Sequence, residues 1–205
     1  MLMPAKNADL HGNAPDTSDV AVIVIDMIND LEWEDGEALL PHAVAAARRI
    51  AKLKRRARAA HVPVIYANDN FGRWQSDFRE VVDHSLHGGV RGQPLAQMLA
   101  PEHEDYFVLK PKHSAFFATT LDTLLRYLGA RRLVLTGIAG DACVLITAVD
   151  AFLRDYELQV PSDCVASRDP AENESALAYM RRVLHADVRV SADIDFEVLR
   201  QPRQS

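Results

Sequence analysis

The sequence predicts an α/β domain in three layers, with a six-stranded, mostly parallel sheet and helices on both of its faces. Three observations point to it. Short β-branched apolar runs alternate with longer stretches of helical periodicity along nearly the whole chain of 205 residues, which is the pattern of right-handed βαβ units. The first run, Val20 to Ile25 (VAVIVI), is apolar at every position, as a strand covered on both faces must be. Reactive residue types follow several of the runs, and in open parallel sheets ligands bind beyond the carboxyl ends of the strands.

The elements follow in order. After the first strand and a polar segment, Ala46, Ile50, Leu53, Ala57 and Ala60 recur at helical spacing. Val62 to Tyr66 (VPVIY) is the second strand, with Pro63 tolerated near its start. The stretch 68–93 is expected as a loop. Tyr106 to Leu109 (YFVL) makes a third strand, and Thr120 to Leu128 a helix ended by Gly129. Leu133 to Leu135 is the fourth strand, Cys143 to Tyr156 a helix, and Leu158 to Val160 a short fifth strand. A helix from about Glu172 to Leu184 and a sixth strand at Val188 to Val190 complete the pattern. The expected arrangement is Rossmann-like, an α-β-α sandwich with strand order 3-2-1-4-5-6.

Bulk composition narrows the function. Apolar residues make up 48% and charged residues 25%, ordinary for a globular protein. The length suits a single domain over 20–200 with a sizeable core, preceded by a polar arm over 1–19. A formal net charge of −6 argues against nucleic acid or an anionic membrane as partner. No apolar run approaches the roughly 20 residues of a membrane span, and the first residues lack the apolar stretch of a signal peptide. Two cysteines do not make a disulfide framework, so a cytoplasmic setting is expected.

Asp26 follows the first strand, Asn68-Asp69-Asn70-Phe71-Gly72-Arg73-Trp74 the second, Lys110 the third, and Gly137 to Cys143 the fourth. An acid, a lysine and a thiol thus converge on one rim of the sheet. A carboxylate beside an apolar strand loses solvation and becomes a better base. A nearby lysine and a helix N-terminus both favour a thiolate. Each residue also has a bland reading. A cysteine in an apolar helix is ordinarily core filling, an aspartate after a strand can cap a helix, and most lysines are solvated. Their coincidence at adjacent strand ends favours a nucleophilic site.

These segments resemble the cysteine hydrolases of the isochorismatase-like superfamily, from about Val20 to Val190. VIDMIND is similar to that family's V-I-D-M-Q-N-D, KPKHSAFFATTLD to its K-x-x-Y-S-A-F-x-x-T-x-L, and GIAGDACV to its G-x-x-T-D-x-C-V, in the same order. The resemblance implies that Asp26 is the general base, Lys110 the catalytic lysine and Cys143 the nucleophile. Lys110 is selected over Lys112 because the family lysine lies four residues before the serine of S-A-F, here Ser114. It also implies a cis peptide between Ile138 and Ala139, with the Ala139 and Cys143 amides as the oxyanion hole. The implied reaction is hydrolysis of a C–N bond in a small carboxamide, carbamoyl or ureido compound through a thioester. No cofactor and no metal are called for, and assembly as a homodimer or homotetramer is implied.

The departures from the pattern bear on substrate. Ile28 stands where glutamine is usual, His113 where tyrosine is, and Gly140 replaces a threonine. Nicotinamidases of the superfamily carry an Asp-x-His pattern after the second strand to bind a metal, and no histidine stands there in this chain. True isochorismatases lack the cysteine, so its presence favours C–N hydrolysis over an ether hydrolase. A non-catalytic scaffold binding a small molecule is the reading from another class.

Asp69, Asn70, Phe71 and Trp74 are expected to overhang the site, and His113 and Phe116 to shape the substrate pocket. Turn capping and core packing are the alternatives for these residues. His84 and His87 lie three apart but lack a third ligand. The basic run of Arg48, Arg49, Lys52, Lys54, Arg55, Arg56 and Arg58 reads as the solvated face of a helix, and Cys164 as buried core. No G-x-G-x-x-G follows the first strand, so dinucleotide binding has no footing.

Overall fold

A computed structural model describes residues 17–72 and 77–200; Trp74 lies outside the described residues. The chain runs β1 (Val20–Ile25), α1 (Gly36–Ala59), β2 (Val64–Asp69), α2 (Phe78–His87), α3 (Gln93–Leu99) and β3 (Tyr106–Lys110). It continues through α4 (Leu121–Leu128), β4 (Arg132–Ile138), α5 (Leu145–Phe152), β5 (Glu157–Gln159), β6 (Val165–Ala166), α6 (Pro170–Val183) and α7 (Phe196–Leu199). The sheet order is β3-β2-β1-β4-β5, with β6 added to β4, and every pairing is parallel.

β1 is the central strand, and all six of its residues are fully buried. Its alternate side chains feed two layers, as the two-residue period of a strand requires. Val20, Val22 and Val24 pack with Ala43, Ile50 and Leu53 of α1 and with Leu95 and Leu99 of α3. Ala21, Ile23 and Ile25 pack on the other face with Leu121 and Leu125 of α4, Ala148 of α5 and Met180 of α6. The register brings Ile25 level with Ala67 and Gly137, and Asp69 level with Lys110. The carboxyl ends of four strands therefore finish at one height.

The sixth strand position is filled differently from the expectation. Val188 to Val190 form no strand, and only Asp187 bridges to Gln159 beside β5. The Asp187 carboxylate accepts from the Arg189 amide and pairs with its guanidinium, which turns the chain away after one paired residue. β5 itself stops before Pro161, which has no N–H to offer a ladder. A 3₁₀ turn at Ser162–Cys164 then swings the chain back, and β6 pairs with Gly137 and Ile138 at the end of β4.

The stretch 68–93, expected as a loop, contains α2. Asp77 caps it by accepting from the Glu80 N–H at 2.9 Å, and Phe78, Val81 and Ser85 form its buried face. The basic run on α1 is also not uniformly solvated. Lys54 is buried, bonded to the Tyr66 hydroxyl and 3.7 Å from Asp105. Arg58 grips the same Asp105 through both carboxylate oxygens, and Arg56 bonds the Ser191 carbonyl. Cys164 is fully buried in the α1-side core. Among the described residues, no helix is long and apolar enough to cross a membrane.

Candidate active site

Asp26 is the first residue beyond β1, in left-handed backbone conformation (φ 54°), a region where aspartate is among the better tolerated side chains. The Asp26 N–H still donates to the Ala67 carbonyl of β2, so the ladder carries the residue to the rim before the chain turns. Its carboxylate accepts from the Asp69 N–H at 2.8 Å on one oxygen and lies 2.8 Å from the Lys110 ammonium on the other.

Lys110 ends β3, and no part of its side chain is exposed. Besides Asp26, its ammonium donates to the Lys112 carbonyl at 3.2 Å and to the Cys143 Sγ at 3.5 Å. Asp69 Oδ2 stands 3.8 Å away. One buried cation thus touches both the acid and the thiol.

The nucleophile's loop is shaped by close packing. Gly137 (φ 120°) sits where a Cβ would fall 2.0 Å from the Ile25 carbonyl oxygen, so glycine alone lets β4 end so near β1. The next peptide, Ile138–Ala139, is cis. Gly140–Val144 then form a π-helical turn, in which the Val144 N–H reaches back five residues to the Ala139 carbonyl. Such turns recur at functional sites. The turn presents Cys143, partly exposed, just ahead of α5. Beneath it, the Asp141 N–H donates to Ser167 Oγ at 3.1 Å, and Ser167 Oγ donates to Asn173 Oδ1 of α6 at 3.0 Å. A Cβ at Gly140 would fall 2.1 Å from that Asn173 oxygen.

Electrostatics set the resting protonation. Burial, followed by the Asp26 charge, pushes the Cys143 thiol up to about 12, and Lys110 recovers only part of that. This reverses the thiolate expected from a lysine and a helix start, because burial and the carboxylate outweigh both. Burial also raises Asp26, against the opposing pull of Lys110. Burial works against the Lys110 cation, but Asp26, Cys143 and Asp69 together hold it above the ordinary lysine value. Lys110 stays cationic, the thiol stays protonated, and Asp26 has a raised affinity for a proton.

The other expected residues divide. His113 Nδ1 lies 3.5 Å from Cys143 Sγ, on the exposed side of the thiol. Asp69 faces Lys110 and also accepts from the Phe71 N–H. Asn70 is buried and closes its turn by accepting from the Gly72 N–H at 2.9 Å, while Phe71 is 42% exposed beside it. Phe116 does not wall this rim. Its ring packs against Tyr156, just before β5, with the Arg154 guanidinium 4.8 Å above it, because the loop after Lys110 folds down along α5. His84 and His87 pair with separate carboxylates, Asp30 and Asp83. Among the described residues no group of three His, Cys, Asp or Glu is placed to hold a metal ion.

Sequence reasoning missed the residues that hold this loop. Ser114 Oγ bonds Asp150, and the Ala115 N–H donates to Thr147 Oγ1 at 3.0 Å. Thr147 and Asp150 stand four and seven residues after Cys143, a spacing that places all three on one helical face. That periodicity was the available signal.

The comparisons with known proteins identify the family. The family described as "Isochorismatase domain" matches residues 20–192. An uncharacterized isochorismatase family protein, YaaI of Bacillus subtilis, is 41% identical over 86% of this chain and 97% of its own. The ureidoacrylate amidohydrolase RutB of Azorhizobium caulinodans is 30% identical over 94% of both chains. The crystal structure of N-carbamoylsarcosine amidase from Thermoplasma acidophilum superposes with a TM-score of 0.66 at 30% identity, covering 86% of this chain and 99% of that one. The chain belongs to the isochorismatase family of hydrolases.

Proposed function

We propose that this protein is a cysteine hydrolase that cleaves the C–N bond of a small carboxamide, carbamoyl or ureido compound through a thioester on Cys143. The observation that carries the reading is the contact of one buried ammonium, Lys110, with both Asp26 (2.8 Å) and Cys143 Sγ (3.5 Å). Two relatives whose names specify an activity, a ureidoacrylate amidohydrolase and an N-carbamoylsarcosine amidase, act on ureido and carbamoyl compounds, and they support the substrate class.

In this reading Asp26 takes the thiol proton as Sγ attacks the carbonyl carbon, so no free thiolate need accumulate. The oxyanion forms against the Ala139 and Cys143 amides. The C–N bond breaks and the amine or ammonia leaves carrying a proton. Water then attacks the thioester, releasing the acid and supplying the proton that restores the thiol. Lys110 holds the charge on Asp26 and Cys143 in balance throughout.

The test is a screen of N-carbamoyl amino acids and short ureido acids, with ammonia release and intact protein mass as readouts. The wild type should show ammonia and a mass increase equal to the acyl group. Cys143→Ala should lose turnover by on the order of 10⁴-fold or more, with unchanged folding. Ammonia release that survives in Cys143→Ala would sink the reading.

A further inference from the structure

Cys143 has a second polar neighbour besides Lys110. His113 Nδ1 stands as close to Sγ as the Lys110 ammonium does, 3.5 Å in each case. The two lie on different sides of the sulfur in terms of solvent, since Lys110 is wholly buried and His113 is exposed. Asp26 belongs to the buried side. One of its oxygens is taken by the Asp69 N–H and the other by Lys110.

The imidazole is not a loose surface group. The residues that follow it, Ser114 and Ala115, are fully or almost fully buried and are tied to Asp150 and Thr147 of α5. Those anchors share a helical face with Cys143. His113 is thereby tied, through its neighbours, to the helix that continues the nucleophile's turn. An imidazole can both give and take a proton.

Resting on the hydrolase reading above, we propose that His113 is a second acid–base group of the reaction, serving the departing nitrogen and the incoming water. Asp26 accepts the proton of the Cys143 S–H as sulfur bonds to the carbonyl carbon. His113, entering as the imidazolium, donates its proton to the nitrogen as the C–N bond breaks, so the amine leaves neutral. What remains is the thioester, protonated Asp26 and neutral His113. In the second half, water adds its oxygen to the thioester carbon and gives a proton to His113. The C–S bond breaks, and Asp26 returns its proton to sulfur. The site is restored, and one water has been consumed for one acid and one amine.

The division of labour is tested with two substrates sharing an acyl group, a primary amide and a p-nitrophenyl ester. Nitrophenolate leaves without a proton, so acylation by the ester does not need His113. In His113→Phe, kcat/KM for the amide should fall by on the order of 10²- to 10³-fold. The pre-steady-state burst of nitrophenolate should stay within about threefold of wild type, followed by slow turnover and an accumulating thioester seen by intact mass. Added imidazole should recover part of the amide activity in His113→Ala. If the amide rate and the ester burst fall together, His113 is merely structural and the proposal is overturned. If neither changes, it is overturned as well. A wild type that turns over the ester but no amide would fail the hydrolase reading itself, and this proposal with it.

Discussion

Lys110 and Asp26 meet at 2.8 Å with the lysine side chain fully buried and the aspartate side chain 7% exposed. Removing one partner of such a pair leaves an uncompensated buried charge, worth about 3–5 kcal/mol. Lys110→Met should therefore destabilise the fold by that order. The double variant Asp26→Asn/Lys110→Met should recover part of the loss, because both charges are gone. Urea denaturation of the set checks this. Single and double losses that simply add would show that the two groups are not coupled.

The alkylation profile of Cys143 follows from its raised thiol. With that group pushed up to about 12 by burial and Asp26, the iodoacetamide rate should keep climbing above pH 9 and show no plateau near the ordinary thiol value of about 8.5. Asp26→Asn removes the carboxylate and leaves Lys110. Alkylation in that variant should move to lower pH while hydrolysis is lost. Mass spectrometry of the labelled peptide, with fully buried Cys164 as control, reads both. A wild-type midpoint below pH 8 would contradict the electrostatic picture.

Much of this site was legible in the sequence, and for a physical reason. A parallel sheet delivers its strand ends to one rim, so locating the strands located Asp26, Lys110 and Cys143 together. The state of the thiol was not legible, because it depends on how far burial outweighs Lys110, a balance set by the packed site. β6 escaped notice because a two-residue strand has no period to read. The choice between pocket and core for Phe116 was not legible, because the anchors on α5 that turn its loop downward act through single hydrogen bonds.

Lys54 offers a stability test away from the chemistry. Burial, ahead of every other influence, lowers its pKa to about 8. Its neighbours do not depend on it, since Asp105 keeps Arg58 and the Tyr66 hydroxyl donates to the Leu99 carbonyl at 2.6 Å. Lys54→Met should match or exceed wild-type stability at pH 7. The folded pKa lies below the unfolded value of about 10.4, so the unfolded chain binds more protons between them and the wild type gains stability as pH rises through that window. The advantage of Lys54→Met should accordingly shrink from pH 8 to pH 10. Denaturant midpoints across that range check the sign, and a widening gap would refute it.

Gly140 and Asn173 should behave as a pair. A methyl at position 140 meets Asn173 Oδ1 at 2.1 Å and Val165 Cγ1 at 2.6 Å, so Gly140→Ala should lower both melting temperature and activity. Adding Asn173→Ala removes the nearer obstacle and should restore part of each. Thermal melts and rates of the three variants decide it. Strict additivity would mean that the contact does not govern the loop.

The face shared by Cys143, Thr147 and Asp150 carries one more implication. The loop that carries the imidazole is tied to the helix that follows the thiol, so the two tend to move together. Room for change lies instead beyond β2, where Phe71 stands exposed. In the hydrolase reading, a change at that position alters which small substrate fits without touching the acid, the lysine or the thiol.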